Sequence, residues 1–249
     1  MAAPDGFRNA GFICGLQDEA RCLRASGIEQ RIEISGARTA RAVEMAQKLL
    51  SAGAESLVSF GLAGGHDPRL GPGSVIVADR VFAWHQPLPN GHDSSILREM
   101  AADDGGLQAD PELTGQLLGV LGDDSWRGAI VGVNQAVRAR AEKLGLFTHT
   151  GALACDMESH AVAAVARDAG VPFVVLRVIS DPFSRNIPKS ALAGVTPEGA
   201  ISIGAVLASL VVRPWEIIGL LSLAPDARTA FLALRRVARL STPLFGSVG

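Results

Sequence analysis

The stretch from Gly151 to Pro182, GALACDMESHAVAAVARDAGVPFVVLRVISDP, constrains the fold more than any other part of the chain. Val171 to Ile179 is an almost continuous apolar run, rich in β-branched residues and interrupted only by Pro172, as a strand covered on both faces requires. Before it, Glu158 to Ala169 keeps a helical period, with Ala161, Val162, Val165 and Ala169 on one face and Arg167 and Asp168 outside. Gly170 closes that helix, and Ala152 to Cys155 reads as a short strand ahead of it. The unit is β-α-β, and Asp181 is predicted just past the second strand, where open α/β sheets place their ligands. Pro182 biases Asp181 away from helical dihedrals.

The rest of the chain repeats the alternation. Asn9 to Gly15 is a predicted strand leading through a turn into a helix that holds Glu19 at its start. Ile28 to Ile34 reads as a half-buried strand, Arg38 to Leu50 as an amphipathic helix, and Ser56 to Phe60 as a strand followed by the glycine loop Gly61 to Gly65. Ser74 to Ala83 is a long, central strand with Val75, Val77 and Val81 on one face and Ile76, Ala78 and Phe82 on the other. Trp84 to Gly106 reads as a long loop of the kind that serves as a lid. Glu112 to Leu121, Gly128 to Val133 and Ala136 to Leu144 continue as helix, strand and helix. Trp215 to Leu223 and Asp226 to Leu240 are two terminal helical runs. In the second, Arg228, Arg235, Arg236 and Arg239 crowd one side, which fits either solvated arginines on a core-packed helix or docking on a membrane surface.

Composition excludes several classes. With 249 residues, 48% hydrophobic and 19% charged, the chain reads as one globular domain. Its formal net charge of −2 argues against a nucleic-acid surface. Cys14, Cys22 and Cys155 form neither a CxxC pair nor a disulfide framework, which fits a reducing cytoplasm. The N-terminus has no signal-peptide pattern. The longest uncharged run, Gly199 to Val212, falls short of the about 20 residues that span a bilayer. The five histidines show no metal-ligand spacing, no GxSxG elbow occurs, and neither metal nor cofactor is expected.

What remains is Glu158 at a helix start, Asp181 at a strand exit, Glu19 at an early turn, and the glycine loop. Carboxylates around one pocket suit a cationic transition state such as that of glycosidic cleavage. The same residues also fit structural roles, Glu19 and Glu158 as helix-dipole partners and Asp181 as a turn aspartate. GLAGG is not the dinucleotide fingerprint, since His66-Asp67-Pro68 rather than a helix follows it.

Three blocks taken together carry a resemblance: SFGLAGGHDPRLGPGSVIVADRV (Ser59 to Val81), CDMESHAVAAVA (Cys155 to Ala166) and VPFVVLRVISDP (Val171 to Pro182). The chain resembles the nucleoside phosphorylase and nucleosidase superfamily. Its tail, ALAGVTPEGAISIGAVLASLVVRPWEIIGLLSLAPDARTAFLAL, resembles the hopanoid-associated branch, which implies release of adenine from adenosylhopane. The implied fold is a single three-layer α/β/α domain with a mixed, twisted sheet, a core over about residues 7–212 and a helical extension over 213–249. The resemblance makes Asp181 the acid at purine N7, assisted by Ser180. It makes Glu158 the acceptor for ribose hydroxyls and Met157 the packing partner of the sugar face. Ala63 and Gly64 would line the nucleophile side, and Asn134 would stand near the base. A glutamate that activates water is implied at Glu19, although an ungapped count from Gly15 lands on Ala20.

The phosphate-holding arginine and serine of the phosphorolytic branch correspond to Ser59 and Leu62, so water is the expected nucleophile; Arg21 and Arg24 are the remaining nearby cations. Phosphorolysis of the same bond, a soluble methylthioadenosine or S-adenosylhomocysteine nucleosidase, a nucleoside-binding protein without turnover, and, disfavoured by the glycine pattern, a dinucleotide oxidoreductase are the alternatives. The expected partner is a small or lipid-linked adenine nucleoside and not a nucleic acid. A homo-oligomer, a dimer, is expected in the cytoplasm. Residues 199 to 240 are expected to meet the inner face of the membrane.

Overall fold

The computed structural model describes residue 7 and residues 9–28, 31–85 and 105–246. The chain runs β1 (Ala10–Cys14), α1 (Gln17–Arg24), β2 (Ile32–Ile34), α2 (Thr39–Ser51), β3 (Ser56–Gly65) and β4 (Val75–Trp84). It continues with β5 (Leu107–Gln108), α3 (Pro111–Leu121), β6 (Ser125–Val133), α4 (Arg140–Thr150), β7 (Ala154–Asp156), α5 (Ser159–Ala169) and β8 (Phe173–Asp181). Helices α6 (Lys189–Ala193), α7 (Ile203–Val212) and α8 (Ile217–Phe245) follow. Most of the loop read as a lid, residues 86–104, lies outside the described residues.

The strands form one mixed sheet in the order β2-β1-β3-β7-β6-β4-β5, with β8 pairing both β3 and β4. The pairings β3–β7–β6–β4–β8–β3 therefore close a ring, which removes exposed edges from the centre of the sheet. Strand β8 is parallel to β3 and antiparallel to β4, whereas β7 is antiparallel to β3. The predicted β-α-β unit thus exists as a sequence of elements, but its two strands do not form a parallel pair. On one face Phe12, Val58, Val77 and Leu176 pack against Leu23 of α1, Leu117 of α3 and Leu234 of α8. On the other, Ile13, Leu57, Ile76 and Val175 pack against Leu49 of α2 and Val162 of α5. These are the three layers α/β/α.

Several boundaries move for identifiable reasons. Gly61 to Gly65 is not a loop: β3 runs through it, because β8 pairs with Gly61 to Gly64, with a register shift at Ala63/Gly64, and β7 pairs with Gly64 and Gly65. In β4 a second register shift lies between Ala78 and Arg80, so Val81 joins Ile76 and Ala78 instead of Val75 and Val77. The predicted helix Ala136 to Leu144 begins later, at Arg140. The two terminal helical runs are one helix that continues through Pro225. Its second half is core, with Ala230, Leu234, Val237, Ala238 and Phe245 buried. The basic stripe follows this half, where Arg236 pairs with Asp124 at 2.7 Å.

Candidate active site

The carboxyl-terminal ends of β3, β7 and β8 and the start of α1 surround a cleft of about 180 Å³. Glu19, Ala63, Gly64, Asp156, Met157, Glu158, Ser180 and Asp181 all line it. A larger cleft of about 290 Å³ lies between α8 and the start of β4, but its charged lining residues, Asp124 and Arg236, are paired to one another.

Glu19 stands at the third position of α1 and does two things. One carboxylate oxygen accepts the Leu16 N–H at 2.8 Å, satisfying a helix-start donor, and the other accepts the Leu62 N–H at 2.8 Å from β3. Ala20, the ungapped alternative, is fully buried in the core instead. Glycine at position 61 is required by this arrangement, because a β-carbon there would sit 2.6 Å from a Glu19 carboxylate oxygen. Gly64 has the same relation to Asp181, at 2.9 Å. The glycines therefore let side-chain carboxylates, not only ligands, approach the strand.

Glu158 stands at the N-cap position of α5 and is buried, while the side chain that caps the helix is Asp156, whose Oδ1 accepts the Ser159 N–H at 2.9 Å. Ser35 donates to its Oε1 at 3.2 Å, and the Arg177 guanidinium lies 3.6 Å from its Oε2. Burial pushes its pKa up to about 7; Arg177 opposes the rise, while Asp156 and Glu19 add to it. Burial likewise raises Glu19, against Arg177 and the backbone donors. Asp156 goes the other way. Burial alone would raise it, but Arg177 and the hydrogen bonds from Ser159 outweigh that and hold it low.

Arg177 was not singled out in the sequence, where it interrupts an apolar strand. Fully buried, it donates to Asp156 through Nε and to Ser59 at 2.6 Å and Ser159 at 3.2 Å through Nη2. The signal was available: an arginine inside a strand covered on both faces must have a buried partner. Lys143 is the second residue missed. It is also fully buried, and its ammonium donates to Asp181 Oδ2 at 2.9 Å and to the carbonyls of Asp181 and Pro182 at 3.1 and 2.9 Å. Its helical position, one turn beyond Ala139, carried no visible mark.

Asp181 ends β8, held between Lys143 and Ser180, whose hydroxyl donates to Oδ1 at 3.0 Å. Burial raises its pKa, with Lys143 and Ser180 limiting the rise. Met157 lines the cleft, and its carbonyl accepts from Thr39 at 3.0 Å. Asn134 is the exception. It is exposed, outside the lining, with Oδ1 accepting from Thr39 at 3.1 Å. Its strand, β6, ends at Val133, which leaves Asn134 past the sheet. Arg21 is exposed and paired with Asp18, and Arg24 is exposed. Among the described residues no cluster of His, Cys, Asp or Glu is arranged to hold a metal ion.

A 5'-methylthioadenosine/S-adenosylhomocysteine nucleosidase from Marinomonas sp. is 31% identical over 152 residues, covering 55% of this chain and 60% of that protein. One from Staphylococcus saprophyticus is 27% identical over 162 residues, covering 63% and 67%. The chain thus spans about 60% of the length of the Marinomonas relative. The fold is shared with S-adenosylhomocysteine nucleosidase from Streptococcus pyogenes, solved with 5-methylthiotubericidin, at a TM-score of 0.57, 20% identity and coverage of 90% and 95%. The corresponding Campylobacter jejuni nucleosidase gives a TM-score of 0.61 at 15% identity, with coverage of 93% and 98%. Residues 16–211 match the family model described as the phosphorylase superfamily, a span that takes in every strand from β2 to β8 and all four carboxylates of the cleft, and the chain belongs to that superfamily.

Proposed function

We propose that this protein hydrolyses the N-glycosidic bond of an adenine nucleoside in the carboxylate cleft. The observation that carries the reading is the cleft's charge. Glu19, Asp156, Glu158 and Asp181 line it, and no lysine, arginine or histidine does among the described residues. Such walls favour an oxocarbenium-like transition state and disfavour a desolvated phosphate dianion, which needs compensating cations. Arg177 supplies none, because Asp156, Glu158, Ser59 and Ser159 take up its guanidinium.

In this reaction the bond between the anomeric carbon and N9 breaks, and its electron pair goes to the base. Protonated Asp181 gives its proton to N7, so that adenine leaves neutral, with Ser180 fixing the carboxyl's orientation. Water adds to the anomeric carbon and passes a proton to Glu19, which its two backbone donors hold in place. Glu158 accepts from ribose hydroxyls, and Met157 packs against the sugar.

The relatives' names support methylthioadenosine or S-adenosylhomocysteine as substrate. The tail sequence Ala191 to Leu234 supports a lipid-linked nucleoside, adenosylhopane, as the finer reading. Adenine release is the test, measured with purified protein on methylthioadenosine, S-adenosylhomocysteine and detergent-dispersed adenosylhopane. The proposal expects release from at least one of them. Tight adenine binding with no release from any of the three would make the chain a binding protein.

A further inference from the structure

We propose that the corner formed by α7 and the first turns of α8 is a docking surface for a lipid bilayer. Helix α7 has no buried residue, although its sequence from Ile203 to Val212 is apolar on every side. A helix of that kind is ordinarily enclosed by protein or by lipid. Here the side chains point outward: Ile203 is 71% exposed, Val211 81%, Trp215 72% and Ile218 76%. The one polar side chain within α7, Ser209, is engaged by Arg213 of the same corner at 3.2 Å.

Three features favour lipid over a second protein. Protein interfaces carry about one hydrogen bond per 100–200 Å², and between Ile203 and Val212 the Ser209 hydroxyl, which already accepts from Arg213, is the one side-chain polar group. The exposed indole of Trp215, at the turn between α7 and α8, is the group that settles at a membrane–water boundary. Lys189 and Arg228, both exposed, flank the corner, as headgroup contact favours. The corner is also fastened to the segment that follows β8. Glu216 accepts the Ser190 N–H at 2.8 Å, and Arg185 pairs with Asp226 at 2.6 Å just beyond β8.

The corner lies on the bilayer and does not cross it. Residues Pro214–Phe245 are long and apolar enough to span, yet their second half fills the core against α1 and α3. Docking also has a direction. Leu192 and Ile187 line the carboxylate cleft, and Leu192 is itself partly exposed beside α7. Resting on the proposed nucleosidase reading, an apolar substituent leaving the cleft past these residues passes onto the docked face, so the substrate class is an adenine nucleoside with a membrane-resident tail.

The test uses the full chain and a triple variant, Leu207→Glu, Val211→Glu and Ile218→Glu, whose sites are exposed and outside the cleft. Co-sedimentation is measured with phosphatidylcholine vesicles and with vesicles containing phosphatidylglycerol, alongside sedimentation velocity and adenine release from soluble methylthioadenosine. Wild type should bind both vesicles, more tightly with the anionic lipid. High salt should remove that increment, and the variant should bind at least tenfold more weakly with unchanged release from the soluble substrate. Wild type left in the supernatant overturns the inference. So does a wild-type dimer that the variant makes monomeric without vesicle binding, which assigns the corner to a second copy. Vesicle binding without adenine release from methylthioadenosine, S-adenosylhomocysteine or detergent-dispersed adenosylhopane upholds the docking surface and overturns the reaction instead.

Discussion

At Asp181 two opposing effects meet in one carboxyl group: burial raises its pKa, and the Lys143 ammonium 2.9 Å away holds the rise in check. The proposed reaction needs Asp181 protonated before the bond breaks, so its pKa sets the alkaline limb of activity. Asp181→Asn should lower kcat by ~10²–10⁴-fold, with a much smaller change in affinity for a non-hydrolysed analogue; a variant that keeps half the wild-type turnover removes Asp181 from the role. Lys143→Met takes away the opposing charge while leaving the carboxyl buried. The alkaline limb of its pH–rate profile should therefore move to higher pH, and an unmoved limb would show that the ammonium only anchors the chain. Glu158→Ala should lose discrimination between ribosyl and 2′-deoxyribosyl substrates, since a hydrogen bond to a charged group contributes roughly 1.5–3 kcal/mol. An unchanged preference in competition assays would leave Glu158 as a helix-end acid.

At the scale of elements, the sheet and the cleft were legible in different degrees. β8 is covered on both faces as its apolar run requires, and in α5 Ala161 and Val162 face inward and Arg167 and Asp168 outward, but Ala169 is exposed and Ala163 and Ala166 are buried instead. Strand exits and helix starts in the sequence point to Asp181, Glu158 and Glu19. The register shifts in β3 and β4 were not legible, because a bulge depends on the partner strand and leaves no local signature. Arg177 is legible as a cation inside a doubly covered strand, though its partner Asp156 is not, whereas Lys143 on its helix is marked only by its partner Asp181, which is distant in sequence. Helix α8 was divided at Pro225 on local preference, whereas packing of the residues beyond it carries the helix through. That packing is measurable at Phe245, which is fully buried with its ring edge-on to Phe7 and Phe12 at 5.1 and 4.9 Å between centroids. Phe245→Ala should cost about 3–5 kcal/mol of unfolding free energy by denaturant titration. A loss under about 1 kcal/mol would mean that the end of α8 is not part of the core.

For the whole molecule, gathering acids in one buried cleft opposes stability at neutral pH. A carboxyl whose folded pKa lies above its unfolded one binds its proton more tightly when folded. Its stabilisation is complete below the unfolded value, about 4.3 for glutamate, and is lost as pH rises to the folded value, about 7 for Glu158. Wild-type Tm should therefore fall between pH 5 and 8, and Glu158→Gln should flatten that fall; parallel curves would place the pH dependence elsewhere. The same acid-lined cleft is the reason to expect water rather than phosphate as nucleophile. Adenine release from methylthioadenosine, or from the adenosyl lipid if only that is cleaved, followed with and without phosphate and with the sugar product identified by phosphorus NMR, tests this directly. The account predicts an undiminished rate without phosphate and a free sugar as product; release that requires phosphate and yields a sugar 1-phosphate would contradict it.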